Sequence, residues 1–147
     1  MSIEIRPMTA GDVETVLAAG AIFDHPTRRA WTERFLRSPD HHLIIAFDGK
    51  RAIGFVSGVE TTHPDKGTEM FVYELGVDES HRRRGIATAL LDELRRTAVA
   101  AGCFGMWVGT EPDNVAAIAT YRAAGFTPPE PTVTLALEWT ALENREV

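Results

Sequence analysis

The residues whose types and spacing could do chemistry are concentrated in Leu75-Gly76-Val77-Asp78-Glu79-Ser80-His81-Arg82-Arg83-Arg84-Gly85-Ile86-Ala87-Thr88. An alternating apolar segment stops at Val77, a basic turn follows, and helical periodicity begins near Gly85. A helix start leaves backbone N–H groups unpaired and carries the positive end of the helix dipole, so it attracts an anion. Gly85 lets backbone approach that anion closely, and Ala87 keeps the next turn small. With three arginines in front, the expected ligand is a phosphate or pyrophosphate. The pattern is neither the Gly-Lys-Ser/Thr phosphate loop nor the Gly-x-Gly-x-x-Gly of dinucleotide folds. The competing reading of Arg82–Arg84 is a solvated basic turn, which the strand-to-helix setting disfavours.

Other elements must hold this turn in place. Ile3 and Ile5 alternate with polar neighbours and read as a first strand. Val13, Val16 and Leu17 recur at helical spacing after a cap at Thr9 or Asp12. A second helical stretch runs from Pro26-Thr27 to the residues before Ser38-Pro39. His42 to Phe47 and Ala52 to Val59 flank the Asp48-Gly49 hairpin turn, and Thr61 to Gly67 is turn-rich. Glu69 to Asp78 reads as a strand with Phe71, Tyr73, Leu75 and Val77 on one face and Met70, Val72, Glu74 and Gly76 on the other. Ile86, Leu90, Leu91, Leu94 and Ala98 form the apolar stripe of a helix ending at Gly102. Phe104 to Thr110 predicts a strand. Asn114 to Ala124 predicts a helix capped by Thr110 or Asp113, and Val133 to Trp139 a last alternating strand. The order β-α-α-β-β-β-α-β-α-β implies an α/β (α+β) domain with an antiparallel centre and crossover helices.

Composition removes several classes. The 147 residues suit one domain, expected to span 1–147. One cysteine, Cys103, permits no intramolecular disulfide, and no apolar run nears the ~20 residues of a membrane helix. No signal peptide is evident, so a cytoplasmic location is expected. The net charge of −6 argues against nucleic-acid and membrane partners. The acidity is local: residues 60–79 hold six acids against one lysine, directly before the arginine run. The histidines lack metal-ligand spacing, so no metal is expected. A homodimer stays open.

Arg82-Arg83-Arg84-Gly85-Ile86-Ala87 resembles the Arg/Gln-x-x-Gly-x-Gly/Ala signature of the GNAT N-acetyltransferases. The setting agrees: Leu75-Gly76-Val77 precedes it, and Asn114-x-x-Ala117-x-x-x-Tyr121-x-x-x-Gly125-Phe126 follows. The resemblance implies the GNAT fold, a mixed and mostly antiparallel sheet flanked by about four helices, and acetyl-CoA as cosubstrate. It implies that the backbone of Leu75, Gly76 and Val77 runs beside the pantetheine. Arg82, Arg83, Arg84, Gly85, Ile86, Ala87 and Thr88 would hold the pyrophosphate. Asn114 would hold the pantetheine arm, with Ala117 and Tyr121 on the same helix side.

Transfer to an amine needs a base to remove the ammonium proton, a donor for the acyl oxygen, and an acid for the departing thiolate. Tyr121 suits the acid role; Glu74 or Glu111 is the candidate base. Glu69-Met70-Phe71-Val72-Tyr73-Glu74-Leu75 and the following loop resemble the GNAT-type aminoglycoside 3-N-acetyltransferases. That likeness implies a polycationic acceptor contacted by Tyr73, Glu74, Glu111 and Asp113. The segment Thr61 to Thr68 departs from that group's pattern. Other amines (a polyamine, an amino-acid derivative or a protein N-terminus) remain alternatives, as does a noncatalytic acyl-CoA-binding module. Glu74 facing solvent, Glu111 as a first-turn acid and Tyr121 as an ordinary core tyrosine are the simpler readings of those residues.

Overall fold

The computed structural model describes residues 2–146. Five strands form one sheet in sequential order: β1 (Ile3–Pro7), β2 (His41–Asp48), β3 (Arg51–His63), β4 (Gly67–Val77) and β5 (Met106–Val108). The first four pair antiparallel; β5 runs parallel to β4. Among the described residues four α-helices complete the architecture: α1 (Val13–Ala18), α2 (Arg29–Arg37), α3 (Ile86–Ala100) and α4 (Val115–Ala123). The parallel β4–β5 pair is linked by α3, as a parallel crossover requires. This is the expected mixed, mostly antiparallel α/β architecture.

The sheet buries both faces. On one, Ile44, Val56, Met70 and Val72 pack against Ile86, Leu90, Leu91, Leu94 and Ala98 of α3 and Tyr121 of α4. On the other, Leu43, Ile45, Phe47 and Phe55 pack against Val16, Ala19 and the flanks of α2. Gly58 makes the first contact possible: a Cβ there would stand 2.9 Å from the Met70 sulfur and 3.1 Å from Leu94.

Strict alternation along β4 fails. Ser57 of β3 stands opposite Glu74 and Gly58 opposite Val72, so Tyr73 is an extra residue, a β-bulge. The bulge resets the pleat. Met70 and Val72 before it, and Leu75 and Val77 after it, all pack toward α3, while Tyr73 is left exposed. Gly76 faces Phe55 on the opposite side. The expected grouping of Phe71 and Tyr73 with Leu75 and Val77 is therefore wrong.

Other boundaries shift as well. β3 and β4 extend into the segment expected as a turn, where Thr62 and Thr68 hydroxyls meet at 2.8 Å across the strands. β5 holds only Met106–Val108. The cap of α4 is Asn114 rather than Thr110 or Asp113: its side-chain oxygen accepts from Ala117 N at 3.1 Å. Val133 to Trp139 is not a strand: among the described residues it has no strand pairing, and the chain bends at Trp139.

Leu94 is fully buried between α3 and the sheet. Leu94→Ala is expected to lower unfolding free energy by about 2–5 kcal/mol in a urea titration, through lost burial and the cavity left behind.

Candidate active site

Beyond Val72 the two parallel strands part. Phe71 pairs with Trp107 and Val72 with Val108; there the pairing ends, and the Tyr73 bulge begins. From Tyr73 to Val77, β4 keeps β3 on one side and an open cleft on the other. Strand backbone groups alternate in direction, so every second N–H and C=O there faces the cleft. Gly109 to Asn114 is the turn that leads from β5 to α4.

The turn after β4 is built to meet an anion. Arg83 has φ 63°, the one non-glycine residue with positive φ among the described residues, and Gly85 has φ 76°. Left-handed residues at 83 and 85 curl the backbone so that successive N–H groups converge. The first main-chain bond of α3 there runs from Ala89 N to Gly85 O, leaving the N–H groups of Ile86, Ala87 and Thr88 without helical acceptors. Arg82, Arg83 and Arg84 are exposed beside them; Arg82 Nε also donates to Val77 O at 3.3 Å.

His81 anchors this turn, a part that sequence reasoning missed. It is buried, with Nε2 3.0 Å from Asp48 Oδ2 of the β2–β3 turn. Nδ1 lies 2.8 Å from Ser80 Oγ and 3.4 Å from Asp78 Oδ2, and Ser80 also bonds Asp78. Asp78 is held below its ordinary range, first by the Ser80 hydroxyl and further by His81 and Arg51.

The cleft has two chemically different walls. Tyr121 belongs to the α3 side, buried beside Phe126 with ring centroids 5.4 Å apart, and Ala117, Leu75 and Val77 pack in the same cluster. Every buried side-chain polar atom among the described residues has a partner, and the Tyr121 hydroxyl makes no hydrogen bond, so that hydroxyl opens onto accessible space. Burial pushes its pKa up, keeping it protonated at neutral pH.

Glu74 belongs to the other wall. It is half-buried, and the carboxyl of Asp24, between α1 and α2, lies within hydrogen-bonding reach. Burial first, then the Asp24 contact and its negative charge, raise the Glu74 pKa; His25 opposes them. Asp24 and His25 also border an open hollow of about 520 Å³ with Phe23, Pro26 and Thr27. The sequence offers Phe23 to Pro26 as a stretch that could line the acceptor site, without assigning either residue a role. Their loop carries no motif, and only the tertiary fold brings it to β4.

The remaining expected residues are placed less tightly. Glu111 and Asp113 are exposed in the turn before α4, where Glu111 O accepts from Asn114 N at 3.0 Å. Asn114 spends its oxygen on the cap of α4, leaving only its amide nitrogen free to donate. Tyr73 is exposed on the bulge. The acids of 60–79 do not share one wall: Glu60 pairs with His42 at 2.6 Å, Asp65 with Lys66 at 2.8 Å, and Asp78 serves the His81 anchor. Glu74 is the acid of that run placed beside Asp24. Among the described residues no group of three or more His, Cys, Asp or Glu could hold a metal ion.

Residues 12–126 match the acetyltransferase (GNAT) family. The chain belongs to it. It is 32% identical over 137 residues to the N-alpha-acetyltransferase RimI of Mycobacterium tuberculosis, covering 86% of this chain and 82% of that protein. Its fold matches an aminoglycoside acetyltransferase from an uncultured soil metagenomic sample with TM-score 0.83 at 24% identity, over 94% of this chain and 100% of the other. It also matches the aminoglycoside N-acetyltransferase AAC(6')-Iy solved with CoA, with TM-score 0.80 at 24% identity, over 94% and 96% of the two chains. Likeness at that identity establishes the fold. As a member of the family, this GNAT protein is an acetyl-CoA-dependent acyltransferase. The converging N–H groups, the three arginines and the open β4 edge fit a pyrophosphate joined to an extended amide chain.

Because the folded state raises the Glu74 pKa, the fold holds that proton more tightly than the unfolded chain. Its contribution to stability is complete below the ordinary value of 4.5 and is lost as pH rises through the raised value. Asp24→Asn removes a raising cause. Its expected effects are a Glu74 titration moved to lower pH, read by carboxyl NMR, and a gain in thermal stability at neutral pH.

His81→Ala removes the clamp on the arginine turn. Acetyl-CoA affinity is expected to fall about tenfold by calorimetry, while the far-UV spectrum is retained.

Proposed function

We propose that this acetyltransferase moves an acetyl group to a primary amine of a cationic small molecule, of aminoglycoside or similar polyamine type, by direct attack in a ternary complex in the cytoplasm. The observation that carries this reading is the division of the cleft, with the Glu74–Asp24 carboxyls on one wall and the Tyr121 hydroxyl on the other.

Acetyl-CoA supplies an acetyl group activated as a thioester. Arg82 to Thr88 bind the pyrophosphate through converging N–H groups and guanidinium charge, and Asn114 steadies the pantetheine through its side-chain nitrogen. The open edge of Leu75, Gly76 and Val77 donates a backbone N–H to the acyl oxygen, where negative charge develops. Glu74 takes the proton from the acceptor ammonium; its raised pKa brings it closer to the range where a base is effective. Asp24 holds the cation in place, since two neighbouring carboxyls favour a positive group between them. Tyr121, kept protonated by burial, donates to the leaving sulfur. Glu111, Asp113 and Tyr73, all exposed, meet further ammonium groups of the same acceptor.

A protein N-terminus is the second reading, favoured by the 32% identity to an N-alpha-acetyltransferase. Free-thiol release with acetyl-CoA and a panel of aminoglycosides, polyamines and N-terminal peptides separates the two. Turnover of aminoglycosides is expected, and turnover of peptides alone would replace the first reading with the second.

Tyr121→Phe is expected to lower kcat by about 10²-fold or more where chemistry limits, with acetyl-CoA binding kept. An unchanged kcat would remove Tyr121 from the acid role. Glu74→Gln should lower mainly kcat, whereas Asp24→Asn should mainly raise the acceptor KM.

A further inference from the structure

Asp24 owes its place to a loop with little hold of its own. Among the described residues no main-chain hydrogen bond fixes 24–27, and Asp24, His25 and Pro26 are exposed. The position of the loop is therefore set at its ends. At one end Phe23 meets Phe55 edge-on, with ring centroids 4.7 Å apart, and Phe55 packs against Gly76 of β4. That end is fixed to the strand that carries Glu74.

The other end is Arg28, which immediately precedes α2. Its main chain opens the helix: Thr32 N and Thr32 Oγ1 both donate to Arg28 O at 2.9 Å. Its side chain turns elsewhere. Nη2 donates to Leu142 O and Nη1 to Arg145 O, both at 2.8 Å, and the guanidinium lies over the Trp31 ring at 4.2 Å. Both carbonyls belong to one 3-10 turn, Leu142–Asn144 with Arg145 at its end, closed by Arg145 N donating to Leu142 O at 3.2 Å. Arg145 tightens the same turn, with Nε donating to Thr140 O at 3.1 Å and Nη2 3.6 Å from Glu138.

The needs of α2 do not account for this residue. A serine, threonine, aspartate or asparagine in its place would cap the helix. Arg28 makes no side-chain cap bond and spends its guanidinium on a turn 114 and 117 residues away. The planar fork of a guanidinium suits two acceptors held at a fixed spacing, whereas a lysine ammonium is a single point. Side-chain bonds from a charged donor are among the stronger ones, so the clamp is a firm one.

We infer that Arg28 is a positioning residue for the acceptor: its clamp on the Leu142–Arg145 turn straps the 23–28 loop in place and holds the Asp24 carboxyl against Glu74. The inference rests on the reading of Asp24 and Glu74 as the wall that takes the amine. The turn acts on acceptor recognition through the loop alone. The acetyl-CoA turn at 82–88 shares no residue with the strap, so the two substrates respond differently when the strap is loosened.

Steady-state kinetics and carboxyl NMR of the full chain test this. Arg28→Ala is expected to raise the acceptor KM about tenfold, with kcat at saturating acceptor and acetyl-CoA affinity kept. Glu74 is expected to titrate at lower pH in that variant, because burial and then the Asp24 carboxyl raise its pKa and the second cause is withdrawn. Arg28→Lys should recover part of both effects, and Arg145→Ala, which loosens the turn from its other side, should move both readouts in the same direction. A purely structural Arg28 would lower the melting temperature and leave both readouts where they are. That result, or an equal loss of acetyl-CoA affinity, overturns the assignment. Should the wild-type chain turn over no amine, the functional reading falls and the Glu74 titration alone decides the strap: moved in Arg28→Ala and Arg145→Ala it stands, unmoved it is overturned.

Discussion

Between Val72 and Tyr73 the fourth strand has to satisfy two neighbours that disagree. β3 stays hydrogen-bonded to it as far as Val77, while β5 leaves after Val108. One extra residue resolves the conflict. The Tyr73 bulge bends the strand, keeps Leu75 and Val77 in the α3 core, and turns Glu74 toward the α1–α2 loop. Without it the pleat would carry Glu74 into the apolar layer beside Met70 and Val72, where an ionised carboxylate costs several kcal/mol. The cleft, its open backbone edge and the side from which a cation can enter all follow from that residue.

The cleft's walls differ because the two cores differ. The α3 side is apolar and closely packed, so a phenol set in it keeps its proton. The α1–α2 side is thinner, with a half-buried carboxyl pair and an open hollow. A reaction that takes a proton from one partner and gives one to another benefits from this inequality, since it separates the two pKa values by environment rather than by residue type.

The anion-binding turn was legible because its signals are local: an apolar strand end, an arginine run, a glycine and a helical stripe within a few residues. Arg83 in a left-handed conformation was not, since arginine does not advertise it as glycine does. The Tyr73 bulge left no compositional mark, and face assignments made by strict alternation failed past it. Asp24, His25 and Asp48 act through partners tens of residues away, and each alone reads as an ordinary surface group. Thr110 and Asp113 were the cap candidates for α4, and Asn114, read as its first residue, takes the role by geometry. Val133–Trp139 shows the limit of periodicity: alternation demands that one face be covered, but a strand exists only where a neighbour accepts its hydrogen bonds.

The His81–Asp48 bond joins groups 33 residues apart in the chain, linking the tip of the β2–β3 turn to the arginine turn. Forming that bond closes a long loop, and its entropy is repaid only once β2, β3 and β4 are aligned. The anchoring of the anion-binding turn is therefore nonlocal, although its own residues are contiguous. A nascent or partly folded chain carries the full motif and lacks the shape that makes it work. Cosubstrate binding therefore adds stability only to chains whose sheet has closed.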